Sequence, residues 1–144
     1  ILGSRIEREV LQSVNVTISG TPRQLLPELE LGLYRLAQES LSNVRRHSHA
    51  THVELKLTYA ASCVKLEIAD NGIGFEAPTD LEDLMRSGRL GLMGIHERAR
   101  LFGGRATIVS EPNKGTVVSI IVPLTAIVLP SPQEASSPTS GNAE

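Results

Sequence analysis

Glu39, Asn43 and His47 follow one another at intervals of four, so on a helix they form a single polar stripe. The carboxylate can accept a proton or position a nucleophile. The amide oxygen is a hard ligand suited to Mg²⁺ bound together with phosphates, and the imidazole can donate to a phosphate oxygen. Polar helix faces also carry these residue types as plain solvated surface, and the stripe alone leaves both readings open.

A second group is the run DNGIGF at 70–75. Asp70 offers a carboxylate able to accept from an exocyclic amine such as that of adenine, and Gly72 and Gly74 lack the Cβ atoms that block close approach of a flat ligand. A simple turn has the same composition. The third is GRLGLMGIHERA at 88–99, where Gly88, Gly91 and Gly94 lead into a helix. Backbone N–H groups at such an entrance form an anion nest suited to phosphate. It is neither a G-x-G-x-x-G fingerprint after a strand nor a GxxxxGK[ST] loop, so Rossmann and P-loop readings lack their defining residues. A fourth piece, Lys114-Gly115-Thr116, reads as a hairpin turn whose threonine hydroxyl could join a pocket.

These groups need elements to hold them. Val14, Val16 and Ile18 alternate with polar residues as a half-buried strand, ended by Gly20-Thr21-Pro22. From Pro27 to about His47, Leu29, Leu33, Leu36, Ala37, Leu41 and Val44 gather on one side of a helical wheel. That helix carries the Glu39 stripe. Val53–Tyr59 and Val64–Ile68 alternate as an antiparallel hairpin around Ala60-Ala61-Ser62. The second strand runs straight into Asp70, a strand end of the kind that hosts ligand sites on α/β frameworks. Residues 76–90 read as a mobile lid with one helical turn around Leu81 to Met85. A second helix spans about Leu92 to Phe102 and stops at Gly103-Gly104. Ala106–Ser110 and Thr116–Val122 form the last strand pair.

At 144 residues, 40% hydrophobic and with a net charge of −2, the chain suits one domain with a proper core. The absence of a basic field and an aromatic content of 3% argue against a nucleic-acid partner. No signal peptide opens the sequence, and no apolar run approaches the roughly 20 residues that span a bilayer, so the domain makes no direct membrane contact. Cys63 lies in an alternating apolar segment and reads as a buried structural thiol, in keeping with a reducing cytoplasm. The sequence begins at Ile1 in a helix-like segment. Residues 1–13 are expected to be the end of a preceding helix, residues 14–124 the folded domain, and the Pro- and Ser-rich residues 125–144 a disordered tail.

Taken in order, LYRLAQESLSNVRRHSHA, DNGIGF, GRLGLMGIHERA and KGTVVSIIVP resemble the N, G1, G2 and terminal glycine-threonine boxes of the histidine-kinase ATP-binding domain, within the GHKL superfamily. The resemblance is nearest to sensor kinases that signal to NarL/LuxR-type response regulators, and covers roughly Gly20 to Pro123. It implies a two-layer α/β sandwich of the Bergerat type, a mixed sheet covered on one face by helices, with ATP held between helices and lid. It implies that Asn43 coordinates Mg²⁺, that Glu39 assists phosphoryl transfer, and that Asp70 reads the adenine amine. Gly72 and Gly74 would shape the base pocket, Gly91 and Gly94 the phosphate-facing end of the lid, and Thr116 would lie near the base. Arg46 and His47 fall on the basic pair that closes the N box, where phosphate contact is implied. The short lid also resembles that subfamily, and Phe75 belongs to DNGIGF rather than to a separate lid box.

Kinases of this kind phosphorylate a histidine on a separate dimerising helical hairpin. His47, His49, His52 and His96 all lie inside the ATP-binding region, so the acceptor belongs elsewhere. The expected function is transfer of the ATP γ-phosphoryl group to that histidine in a two-component sensor kinase that is either membrane-anchored or soluble, this domain being cytoplasmic and, in isolation, monomeric. An anti-sigma-factor-type serine kinase of the same superfamily, a stand-alone domain acting on a protein serine, and a non-enzymatic nucleotide-binding interaction module are the alternative readings.

Overall fold

The apolar stripe of residues 27–47 forms helix α1 (Pro27–His47). Proline at its first turn, Glu28 and Glu30 behind it, and Arg45, Arg46 and His47 in the last turn all suit the helix dipole. Leu29, Leu33, Leu36 and Ala37 are buried on its inner face, each leucine stabilising the fold by about 2 kcal/mol. Helix α2 (Leu90–Leu101) lies against α1 and turns in Leu92, Ile95 and Ala99. The two helices touch closely where Gly32 meets the Phe102 ring: a Cβ on Gly32 would lie 2.2 Å from that ring. Gly91, at the other end of α2, meets Glu39 and Asn43, so the helices run antiparallel.

In the computed structural model, Leu2, residues 14–76, Glu82 and residues 90–124 are described. Five strands, β1 (Val14–Gly20), β2 (Val53–Tyr59), β3 (Cys63–Asp70), β4 (Arg105–Ser110) and β5 (Thr116–Pro123), form one sheet in the order β1-β2-β3-β5-β4. β1 pairs with β2 in parallel and the other neighbours are antiparallel. The sheet is thus mixed, as expected, and both helices cover the same face. Inward residues such as Leu55, Leu57, Val64, Leu66, Ile68, Ile120 and Val122 are almost wholly buried. Their outward neighbours include Lys56, Lys65 and Glu67, the last two paired at 2.9 Å.

Register places Val14, Val53, Asp70, Thr116 and Ser110 in one row across all five strands. One residue departs from expectation. Cys63 is only half-buried, because the period of two that turns Val64 inward turns its neighbour to the open face. Leu2 is helical and 1% exposed, so it belongs to the same core as α1 and the sheet. The lid expected over 76–90 falls largely outside the described residues; Glu82 is helical and exposed. Residues 125–144 also lie outside them, whereas Leu124 is buried and its N–H donates to the Ser62 carbonyl at 2.9 Å.

Candidate functional site

A cleft of about 360 Å³ opens between the C-terminal half of α1, the start of α2 and the row-end of β3 and β5. Asn43, Arg46 and His47 from the helix stripe, Asp70 and Gly74 from the DNGIGF run, Gly91 from α2 and Thr116 from β5 all line it. Glu39 is half-buried one turn below Asn43. A Cβ at Gly91 would stand 2.6 Å from Asn43 Oδ1 and 2.8 Å from Glu39 Oε1, so both side chains face the entrance of α2. Residues from four separate parts of the chain therefore meet around one cavity.

Gly72 and Gly94 are not among its walls. Gly72 is buried against α1's end, where a Cβ would lie 2.2 Å from the Ser48 carbonyl oxygen, and a Cβ on Gly94 would meet open space. The small size of Gly72 serves contact with protein backbone. Gly74 has a left-handed φ of 60° and abuts the Glu111 carbonyl while also lining the cleft.

The run from Asp70 to Phe75 is a strap as well as a wall. Asn71 Oδ1 accepts from the Thr51 and His52 N–H groups at 3.0 and 2.9 Å, and its Nδ2 donates to Thr51 Oγ1. Ile73 donates to the Ser48 carbonyl at 2.7 Å and accepts from the Asn113 N–H at 2.6 Å. Phe75 donates to Ser110 Oγ at 2.9 Å. These bonds tie the strap to the α1–β2 connection, to the end of β4 and to the β4–β5 turn.

The Asp70 carboxyl is pushed above the ordinary aspartate range by burial, and the Gly72 and Thr116 N–H groups pull the other way. Gly72 N–H donates to Asp70 Oδ1 at 2.8 Å, leaving the remaining acceptor capacity for the cleft. Asn43 Nδ2 is buried with no hydrogen-bond partner among the described residues, a costly arrangement that a polar ligand in the cleft relieves. Arg46 Nη2 donates to Ser42 Oγ at 2.7 Å, and Arg46 and His47 are both exposed. Among the described residues no group of three or more His, Cys, Asp or Glu side chains could hold a metal ion. An ion here would need phosphate and water oxygens beside Asn43.

Sequence reasoning missed the apolar walls, Ile68, Val118, Val44, Leu92 and Phe75. Strand alternation could have supplied two of them, since Ile68 shares a face with Asp70 and Val118 with Thr116. It also missed Ser110, buried behind Thr116 at 2.8 Å from that hydroxyl. The sequence carries no local signal for that pairing.

Residues 28–126 match the family described as histidine kinase-, DNA gyrase B- and HSP90-like ATPase. An uncharacterized sensor-like histidine kinase of Chloroflexus aurantiacus is 40% identical over 98 residues, which is 67% of this chain and 16% of the relative. The signal transduction histidine-protein kinase/phosphatase DegS of Bacillus subtilis is 39% identical over 102 residues, 71% of this chain and 26% of the relative. The chain thus spans only a minor part of these curated relatives. Among solved structures, the ATP-binding domain of PrrB from Mycobacterium tuberculosis superposes with a TM-score of 0.59 at 24% identity, covering 85% of this chain and 88% of that one. At that identity the likeness is one of fold.

Proposed function

The chain belongs to the histidine kinase-, DNA gyrase B- and HSP90-like ATPase family, and from that premise we propose that it is the ATP-binding catalytic domain of a sensor histidine kinase. The observation that carries this reading is the convergence of Asn43, Asp70, Gly91 and Thr116 on one cleft. In it, Asp70 accepts from the adenine amine between the apolar walls of Ile68 and Val118. Asn43 would supply an oxygen to Mg²⁺, with phosphate and water completing its ligands, and the metal when bound would neutralise developing phosphate charge. Arg46 and His47, at the rim, face the phosphates, and backbone N–H groups at Gly91 complete the anion site.

Glu39 accepts the proton of the attacking imidazole. The bond between the γ-phosphorus and the bridging oxygen breaks, a P–N bond to the histidine forms, and ADP leaves. That histidine lies on a dimerising hairpin of the longer kinase, and a NarL/LuxR-type response regulator receives the phosphoryl group in the cytoplasm. Names of the relatives as sensor kinases support the assignment. No described helix is long and apolar enough to cross a membrane.

Two measurements test the reading. A thermal melt with excess ADP and Mg²⁺ is expected to raise the Tm, since a ligand selective for the native state stabilises it by about 2.7 kcal/mol at 100 times Kd. In the longer kinase, Glu39→Gln is expected to abolish phosphotransfer while leaving ADP binding within about threefold of wild type, because it removes a proton acceptor and not a binding contact. ADP binding without transfer by the wild-type longer kinase would instead identify a nucleotide-binding module.

A further inference from the structure

Ser110 takes no direct part in the cleft wall, yet its hydroxyl makes three contacts that leave it little freedom. It accepts from the Phe75 N–H at 2.9 Å, lies 3.1 Å from the Gly115 carbonyl oxygen, and lies 2.8 Å from Thr116 Oγ1. It is 7% exposed. Ser110, Thr116 and Asp70 are cross-strand neighbours in one row, so a ligand group that reaches Asp70 also reaches the Thr116 hydroxyl, and Ser110 stands behind it.

A serine hydroxyl has one proton and two acceptor sites. The Gly115 carbonyl can only accept, and the Phe75 N–H can only donate. If Ser110 gives its proton to Gly115, the contact with Thr116 becomes a hydrogen bond only when Thr116 donates. All three contacts are then bonds, and Thr116 turns only lone pairs toward the cleft. The reverse orientation, in which Ser110 donates to Thr116, gives up the bond to the buried Gly115 carbonyl, an uncompensated loss in a site shielded from water.

We propose that Ser110 fixes the polarity of the Thr116 hydroxyl, so that Thr116 and Asp70 present two acceptors side by side and the cleft selects a base with an exocyclic amine over one with a carbonyl. Ser110 is a positioning residue for base selection. The inference rests on the reading of Asp70 as the group that meets the base, and deepens it: an amine satisfies both acceptors, whereas a carbonyl oxygen forces Thr116 to rotate and Ser110 to release Gly115.

The test compares ADP with inosine diphosphate, which carries a carbonyl in place of the amine, by calorimetry on the whole chain. Wild type is expected to prefer ADP. In Ser110→Ala the preference is expected to shrink by at least about threefold, because the freed Thr116 hydroxyl can donate as well as accept. Ser110→Thr, which keeps the hydroxyl, is expected to restore it. Thr116→Val keeps the shape without the hydroxyl, and adding Ser110→Ala to it is expected to change the preference no further. If Ser110 only braces the strap through Phe75, its loss weakens both nucleotides equally, and an unchanged preference overturns the inference while leaving the reading of the cleft as an ADP site in place. A wild type that binds neither nucleotide overturns the reading beneath it as well.

Discussion

Gly91 faces Asn43 across the mouth of the cleft so closely that a methyl group does not fit: a Cβ would stand 2.6 Å from the amide oxygen and 2.8 Å from Glu39 Oε1. Both neighbours are side-chain ends that line or adjoin the cleft, so admitting the methyl group requires them to shift from these positions. Gly91→Ala is therefore expected to weaken ADP and Mg²⁺ binding by about tenfold or more, on the scale of overpacking costs. Calorimetric titration checks this, and affinity within twofold of wild type would contradict it.

Asp70 works against the stability of the fold. Burial raises its carboxyl above the ordinary value of 3.8, so the native state holds the proton more tightly than the unfolded chain. Its contribution to stability consequently falls as pH rises from 3.8 through the raised value, and the penalty is fully present above it. Asp70→Asn keeps one oxygen for the Gly72 and Thr116 N–H groups and removes a half-buried charge. Without nucleotide, the variant is expected to be at least as stable as wild type at pH 7, with the difference closing on acidification, and to lose the stabilisation by ADP. Urea midpoints across pH measure it; a variant less stable than wild type at pH 7 would contradict it.

Gly94 sits within α2 with nothing within 4 Å of a Cβ placed on it. Alanine there restricts the unfolded chain and favours the helix by about 1 kcal/mol, or roughly 2–4 °C in Tm. Since Gly94 is not among the cleft walls, the shift produced by ADP is expected to persist in Gly94→Ala. A lost shift, seen in the same melts, would mean that the position contacts phosphate from the lid side.

Helix α1, the β2–β3 hairpin and α2 were legible because each has a long or regular apolar pattern, and the bounds of α1 and β2 agree with the spacing. Strand order was not, since periodicity says which face a residue takes and nothing of which strand becomes its neighbour. The insertion of β5 between β3 and β4 brings Thr116 beside Asp70, 46 positions away in the chain by their residue numbers. For the same reason Asp70 and Asn43 could be picked out by type, whereas Ser48, Ser110 and Asn113, which hold the strap through backbone atoms or a shared hydroxyl, could not. Gly72 was legible as a position needing no side chain, but its physical cause, the Ser48 carbonyl, is a tertiary contact.

The course of the backbone through the sheet has a mechanical side. The polypeptide enters edge strand β1 at Val14, in the row of Asp70, and leaves inner strand β5 at Pro123, opposite Cys63 at the far end. Tension applied between those two points acts along the strands and loads the β1–β2 ladder in shear, so that its evenly spaced bonds share the force rather than opening one after another. A pull transmitted from the N-terminal side would meet a ladder loaded in shear that reaches the cleft end of the sheet directly.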